Sequence, residues 1–276
     1  MTATTMLPKS VVDEIIAKVE PGDEPFLVGG QATNFWAERY YNADPGLAAY
    51  SPYSSKDVDF FGSFDAARKL ATVLGGTVRQ PPADDHSPQT AVVKAVVQGV
   101  NVEIDFLWNI KGPPKDDLPN KTVQVEYPVT VNGVPGIVPL RIMHPLHCLQ
   151  SRASNIIALG RKDDVAKRQL NAAVLTLRAH ISESLDATAS PGVSASKAAQ
   201  EMLGDLAHYL SKDIVGVQVH KQTVMNPIEI IKVFRHDERL DQRFRDNQIQ
   251  NMIDQVSARQ TRDRNRAARP PIDNGI

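Results

Sequence analysis

Leu27-Val28-Gly29-Gly30, Ser55-Lys56-Asp57-Val58-Asp59-Phe60 and Val102-Glu103-Ile104-Asp105-Phe106 set a glycine pair and three aspartates against short apolar runs. A strand sends alternate side chains to opposite faces, so Asp57 and Asp59 on one strand aim two carboxylates at one small volume. Adjacent like charges are costly in a folded protein unless a cation neutralises them. Hard oxygen ligands are those of Mg²⁺, and Asp105 arriving from a neighbouring strand completes a two-metal set. Asp57, Asp59 and Asp105 are therefore the candidate metal ligands and catalytic residues.

Outward from these stretches, the first half reads as mixed α and β. Residues 8–20 carry apolar residues at helical spacing with Pro8 in the first turn. Phe26-Leu27-Val28 reads as a buried strand, residues 31–41 as a helix and residues 42–55 as a loop. Residues 64–74 form an amphipathic helix stopped by Gly75-Gly76. Residues 91–97 and 100–107 flank Gln98-Gly99 and predict a hairpin. In the second of these runs Val102, Ile104 and Phe106 share one face, while Asn101, Glu103 and Asp105 share the other. Residues 111–120 are rich in Pro and Asp and read as a surface connection. Residues 122–131 and 136–142 flank Asn132-Gly133, a second hairpin turn.

Beyond residue 142 the pattern turns helical. Helices are predicted over 145–159, 163–181, 197–210 and 227–256, with residues 182–196 as a Ser/Ala-rich linker. The expected organisation is a core over 1–142, an all-helical C-terminal domain over 143–258, and a polar Arg-rich tail over 259–276 that frays. The fold class is α+β, with a small mixed β-sheet core flanked by helices.

At 276 residues with a net charge of −1, the chain can bury a sizeable core and carries no global attraction to nucleic acid or anionic membrane. The single cysteine, Cys148, excludes an intrachain disulfide. The first residues lack the charged and apolar regions of a signal peptide, and no apolar run approaches the ~20 residues that span a bilayer. A cytoplasmic protein with no membrane partner is expected.

The glycine pair, the Asp-x-Asp strand and the later lone aspartate, in that order, resemble the signature of the DNA polymerase beta-type nucleotidyltransferase superfamily. Within it the chain is most similar to the abortive-infection nucleotidyltransferases, toxin components of bacterial toxin–antitoxin pairs. There a helix with a basic residue and an Arg-x-Lys-Asp-like segment follow the core. Pro145 to Arg152 and Arg161-Lys162-Asp163-Asp164 are similar to that layout, although Arg152 stands where the family usually has lysine. The resemblance covers residues 25 to about 170. It implies a nucleotidyltransferase core and transfer of a nucleoside monophosphate from a nucleoside triphosphate, ATP among the candidates, with two Mg²⁺ ions as cofactors. The acceptor it implies is a hydroxyl on tRNA, another RNA 3′ end or a protein, and an antitoxin protein is an implied partner.

In such chemistry Asp57 and Asp59 hold both metals, and Asp105 binds the metal that activates the acceptor and takes its proton. Gly29 and Gly30 let the backbone approach the triphosphate at a helix N-terminus. Arg152, Arg161 and Lys162 neutralise phosphate oxygens, and Ser54, Ser55 and Lys56 are further candidate contacts.

Blander readings stand beside these. Asp-x-Asp pairs and Gly-Gly turns are common surface features, so their order carries more weight than any one of them. His144 and His147, spaced i, i+3 with no third ligand, read as a cap and a packing residue rather than a metal pair. Cys148 reads as a buried hydrophobe, and Trp36 and Trp108 as core or rim residues. The arginines from Arg235 to Arg245 are interleaved with acids as on a solvated helix. Arg259, Arg262, Arg264, Arg266 and Arg269 are less neutralised and could touch phosphate. Two rival functions remain open: a non-catalytic nucleotide-binding or antitoxin-paired interaction module, and a nucleotidyltransferase acting on a small molecule such as an antibiotic. For the second, Glu103, Asp116 and Asp117 are too scattered to form a polycation pocket.

Overall fold

Phe26-Leu27-Val28 is apolar throughout because it lies mid-sheet. In the computed structural model, which describes residues 6–19, 25–82, 84, 87–186 and 195–267, it forms β1 (Phe26–Val28), and all three residues are buried. The sheet has seven strands in the order β3-β4-β5-β2-β1-β7-β6. The remaining strands are β2 (Val58–Phe61), β3 (Thr77–Arg79), β4 (Gln89–Val97), β5 (Val100–Leu107), β6 (Thr122–Val131) and β7 (Val134–Met143). β1 runs antiparallel to β2 and parallel to β7, and β2 runs parallel to β5. The architecture is thus α+β with a mixed sheet.

Both hairpin turns form where Gln98-Gly99 and Asn132-Gly133 place them. Each pair has positive φ at both positions, +51° and +76° in the first and +52° and +76° in the second, the conformation that matches strand twist. β7 begins at Val134, two residues earlier than expected, because a two-residue turn pairs Val131 directly with Val134. β7 touches β1 only at Leu27–Ile142. The distal part of β6 and β7 therefore extends as a two-stranded ribbon, with Val134 and Ile137 exposed.

Helices α1 (Lys9–Ala17), α2 (Gly29–Arg39) and α3 (Phe64–Val73) belong to the first half. α1 lies against β6, where the buried Asp13 accepts hydrogen bonds from Lys9 Nζ at 2.7 Å and Thr130 N at 3.0 Å. Ser63 caps α3 by accepting from Ala66 N. α5 (Pro145–Ile157), α6 (Asp164–Asp186), α7 (Ala195–Lys212), α8 (Ile214–Gln218), α9 (Ile228–Phe234) and α10 (Gln250–Ala267) follow the sheet. α5 and α6 pack against each other and against α2. Trp36 of α2 is fully buried, and its Nε1 donates to the Met143 carbonyl at 2.8 Å, fastening α2 to the end of β7. Trp108, by contrast, is exposed at the rim, with Lys115 Nζ 4.5 Å from its ring centre.

Several expectations are corrected. The loop over 42–55 contains a 3-10 turn, Pro45–Tyr50, started by the Asp44 carboxylate accepting from Gly46 N. Thr77–Arg79 is a short edge strand, and α4 (Asp117–Asn120) interrupts the surface connection. The linker over 182–196 is shortened because α6 runs on to Asp186, where Arg239 makes an ion pair with it; residues 187–194 lie outside the described part. The helix expected over 227–256 is broken. Asp237 accepts from Arg239 N, and Asp241 accepts from Phe244 N, side-chain bonds that favour turns and new helix starts over continuation. A π-helical turn, Phe244–Ile249, then leads into α10. The tail does not fray at Arg259: α10 continues to Ala267, with Gln260 buried against Asn226 and Lys221 paired with Asp263. Arg269 lies outside the described residues. No helix among the described residues is long and apolar enough to cross a membrane.

Replacing Trp36 with Phe removes the indole donor of the Met143 carbonyl and leaves it only the long contact from Cys148 Sγ at 3.7 Å. A loss of about 1–3 kcal/mol in urea unfolding is expected.

Candidate functional site

The sheet register brings the sequence motifs together. Asp59 in β2 lies beside Val28 on one side and beside Asp105 of β5 on the other. Val58, Phe60, Ile104 and Phe106 alternate with these aspartates and are fully buried on the opposite face. The core thus fixes the direction in which the carboxylates point. Asp57 stands one residue before β2 and is exposed at the rim.

Gly29 and Gly30 leave β1 and open α2 directly against this face. Gly29 has φ +67°, and a Cβ there would sit 1.9 Å from Asp59 Oδ2. A Cβ on Gly30 would sit 2.6 Å from Ser55 Oγ. Only glycine satisfies both the backbone and the space at position 29. Val28, the N-cap residue of α2, supplies no side-chain cap to the first N–H groups of the helix.

These residues line a cavity of about 430 Å³. Asp57, Asp59, Asp105, Gly29, Gly30, Ser55, Lys56, Arg152 and Arg161 all contribute to its wall. Lys162, also a candidate from sequence, is exposed and lies outside that lining. Ser55 Oγ donates to Asp57 Oδ1 at 3.1 Å. His144 caps α5 by accepting from Leu146 N, and His147 and Cys148 are buried, so all three are packing and capping residues. Glu103, on the same strand face as Asp105, is not part of the cavity lining and pairs with Lys94 at 3.1 Å.

Two glutamines were not legible as site residues. Gln89 Nε2 donates to Asp105 Oδ1 at 2.8 Å. A register irregularity between Gln89 and Ala91 carries it there, and such a bulge leaves no reliable trace in composition. Gln169 Oε1 accepts from Arg152 Nη1 at 3.0 Å while its Nε2 donates to the Ser54 carbonyl at 3.4 Å. The buried polar position of Gln169 on an otherwise apolar face of α6 was the available signal.

Charge is unevenly compensated here. Burial, then the charge of Asp57, push the Asp59 carboxyl up to about 7, with Arg152 pulling the other way. Burial and the charge of Glu103 raise Asp105 to about 6 against the Gln89 hydrogen bond. Arg152 is 8% exposed, and no ion-pair partner lies within 4.0 Å of it among the described residues. Burial lowers its pKa, and its Nε is a buried donor without an acceptor among the described residues. The cavity therefore sets repelling carboxylates near a guanidinium that feels the charge of Asp59 but makes no contact ion pair among the described residues.

By chemistry this donor set fits a hard divalent cation. Among the described residues, however, no three Asp, Glu, His or Cys side chains are drawn into a closed ligand cluster. Asp57 and Asp105 accept hydrogen bonds from Ser55 and Gln89. In comparison with known proteins, no family model, no curated protein and no solved structure matches the chain.

Two measurements follow from this geometry. A carboxyl whose pKa is raised on folding contributes stability that is intact below about pH 4. That contribution is lost as the pH rises through about 6 for Asp105 and about 7 for Asp59. Without divalent cations, Asp59→Asn should be more stable than wild type at pH 8 by about 1–3 kcal/mol, with the gap closing near pH 4. Gly29→Ala should cost more than about 2 kcal/mol in denaturant unfolding, because the left-handed backbone and the Asp59 clash add.

Proposed function

We propose that the chain is a metal-dependent nucleotidyltransferase of the polymerase beta-type superfamily, with the toxin-like branch as its nearest resemblance. The observation that carries this reading is one cavity holding Asp57, Asp59, Asp105, the Gly29-Gly30 helix start and the unpaired Arg152. Carboxylates on one wall and a buried guanidinium on another match a metal–triphosphate, whose cation and anion each meet an opposite charge. An isolated surface acid pair would have neither the buried arginine nor the glycine clearance.

Asp57 and Asp59, with Asp105, would hold Mg²⁺. When bound, the metal supplies positive charge to the α-phosphate and to the attacking oxygen. Arg152, braced by Gln169, binds phosphate oxygens through its planar fork. The N–H groups opening α2 add donors on the same side. Asp105, held by Gln89, is placed to take the acceptor hydroxyl proton. The acceptor oxygen forms a bond to the α-phosphorus as the bond to pyrophosphate breaks. The acceptor class follows the resemblance: an RNA 3′ end, tRNA among them, or a protein hydroxyl. A paired antitoxin protein and a cytoplasmic setting belong to the same reading.

The test uses each α-labelled nucleoside triphosphate with Mg²⁺ and total cellular RNA and protein. Label should move to a macromolecule with wild type. Transfer should fall at least about a hundredfold in Asp57→Asn/Asp59→Asn and in Asp105→Asn, whose folds are retained. Nucleotide binding without any transfer would replace this reading with a non-catalytic binding module.

A further inference from the structure

β5 and α5 both carry the cavity wall away from the carboxylates. Leu107 stands two residues beyond Asp105 on the same strand face, about 7 Å on, and Asn109 and Ile110 follow it in the lining. On α5, Asn155 lies almost one turn beyond Arg152, about 4.5 Å along the axis, and Leu159 follows just past the helix end. The two segments meet. Gly112 rests so closely on α5 that a Cβ there would sit 2.4 Å from the Gln150 carbonyl oxygen and 2.8 Å from Ser154 Oγ. Leu107, Asn109, Ile110, Asn155 and Leu159 thus build one end of the cavity, apolar except for two carboxamides.

Both carboxamides are open to that space. Asn109 and Asn155 are half-buried, and neither side chain makes a hydrogen bond among the described residues. The other amides of the wall are engaged: Gln89 by Asp105, and Gln169 by Arg152 and the Ser54 carbonyl. Asn155 is fixed through its backbone, whose carbonyl accepts from Arg161 N at 2.9 Å. A carboxamide has two donor hydrogens and an acceptor oxygen, all here without a protein partner. Leu159 is 53% exposed and adds apolar surface that a flat ring would cover. Lys111 and Arg161 flank this end, exposed and without an ion pair within 4.0 Å among the described residues. Asp163, which also lines the cavity, accepts from Ala166 N at 2.9 Å.

We propose that this end of the cavity seats the base of the donor nucleotide and that Asn109 and Asn155 select it. The proposal rests on the metal–triphosphate reading above and adds to it the residues that choose among the four bases. With the phosphates held between the metal and Arg152, the base lays its faces against Leu107, Ile110 and Leu159 and turns its polar edge to the two amides. Each base has its own order of donors and acceptors along that edge. Two amides in fixed places cannot satisfy all four orders, and a mismatched edge leaves a polar group unpaired.

Equilibrium binding to the full chain with Mg²⁺ tests it. The probes are the four α,β-methylene nucleoside triphosphates, whose carbon bridge blocks transfer, and inorganic tripolyphosphate, which has no base. One analogue should bind at least about tenfold more tightly than each of the others. Asn109→Ala and Asn155→Ala should each cut that preference by about threefold or more and leave tripolyphosphate affinity unchanged. Arg152→Gln should weaken all five probes. Both asparagine side chains bond to nothing among the described residues, so the fold is kept, and either variant alone carries the test. Equal binding of the four analogues overturns the proposal and leaves the triphosphate reading intact. So does a preference that survives both substitutions, or a loss of tripolyphosphate affinity in the asparagine variants, which would make them phosphate contacts. Absence of binding by all five probes overturns both readings. A base preference that depends on Asn109 and Asn155, found in a chain that transfers no label, removes the catalytic reading and leaves the selection standing.

Discussion

The close approach of Gly29 to Asp59 is the constraint on which the site depends. β1 must end against β2, turn through a left-handed residue and start α2 without any side chain between that turn and the carboxylate. The same few atoms fix where the helix begins, which face Asp59 occupies, and how Asp105 lies beside it in the parallel β2–β5 pair. A bulkier residue at position 29 would move the helix start and the acidic wall together. The apolar residues on the far face, Phe60 and Phe106 among them, hold the strands in that register from behind.

The helices that follow the sheet complete the cavity rather than merely surrounding the strands. α5 delivers Arg152 and α6 delivers Gln169, and their hydrogen bond fastens one helix to the other at the cavity wall. α6 also reaches back to the loop through the Ser54 carbonyl. The buried hydrophobic residues run continuously from α1 to α10, so a disturbance of the helical half reaches the acidic wall through packed side chains. A guanidinium buried without an ion pair is an unfavourable arrangement in isolation. Its neighbours offset this only in part, Ser151 Oγ and Gln169 Oε1 accepting hydrogen bonds from its Nη atoms.

Much of this could be read from residue order. Alternation placed Val102, Ile104 and Phe106 opposite Asp105, and both hairpin turns were carried by Gln98-Gly99 and Asn132-Gly133. Short apolar runs and turn dipeptides are local signals, and local signals survive in a single sequence. The π-helical turn, the break between α9 and α10, and the continuation of α10 past Arg259 depend on Asp237, Asp241 and Gln260 finding particular partners. Those partners are settled only in three dimensions. Gln89 is the sharpest case, because one irregular step in the β4–β5 ladder decides whether it reaches Asp105. Lys162 is the opposite case: its charge suggested phosphate, but it is exposed and lies outside the cavity wall that its neighbour Arg161 helps to form.

The β6–β7 ribbon has a consequence for how these molecules behave when crowded. β6 is one edge of the sheet, and the distal part of β7 has no strand on its other side. Such edges are templates for pairing between chains, all the more with Val134 and Ile137 exposed. Pro128, Pro135 and Pro139 fall in the same alternate set of ladder pairs, opposite Ile137, Thr130 and Glu126. Each removes an N–H that would otherwise face outward. The other edge, β3, is three residues long. Pro128 thus removes one outward donor from β6, Pro135 and Pro139 remove two from β7, and Asp13 of α1 takes the N–H of Thr130, so the ribbon offers an incoming strand few free donors, while β3 offers it little length.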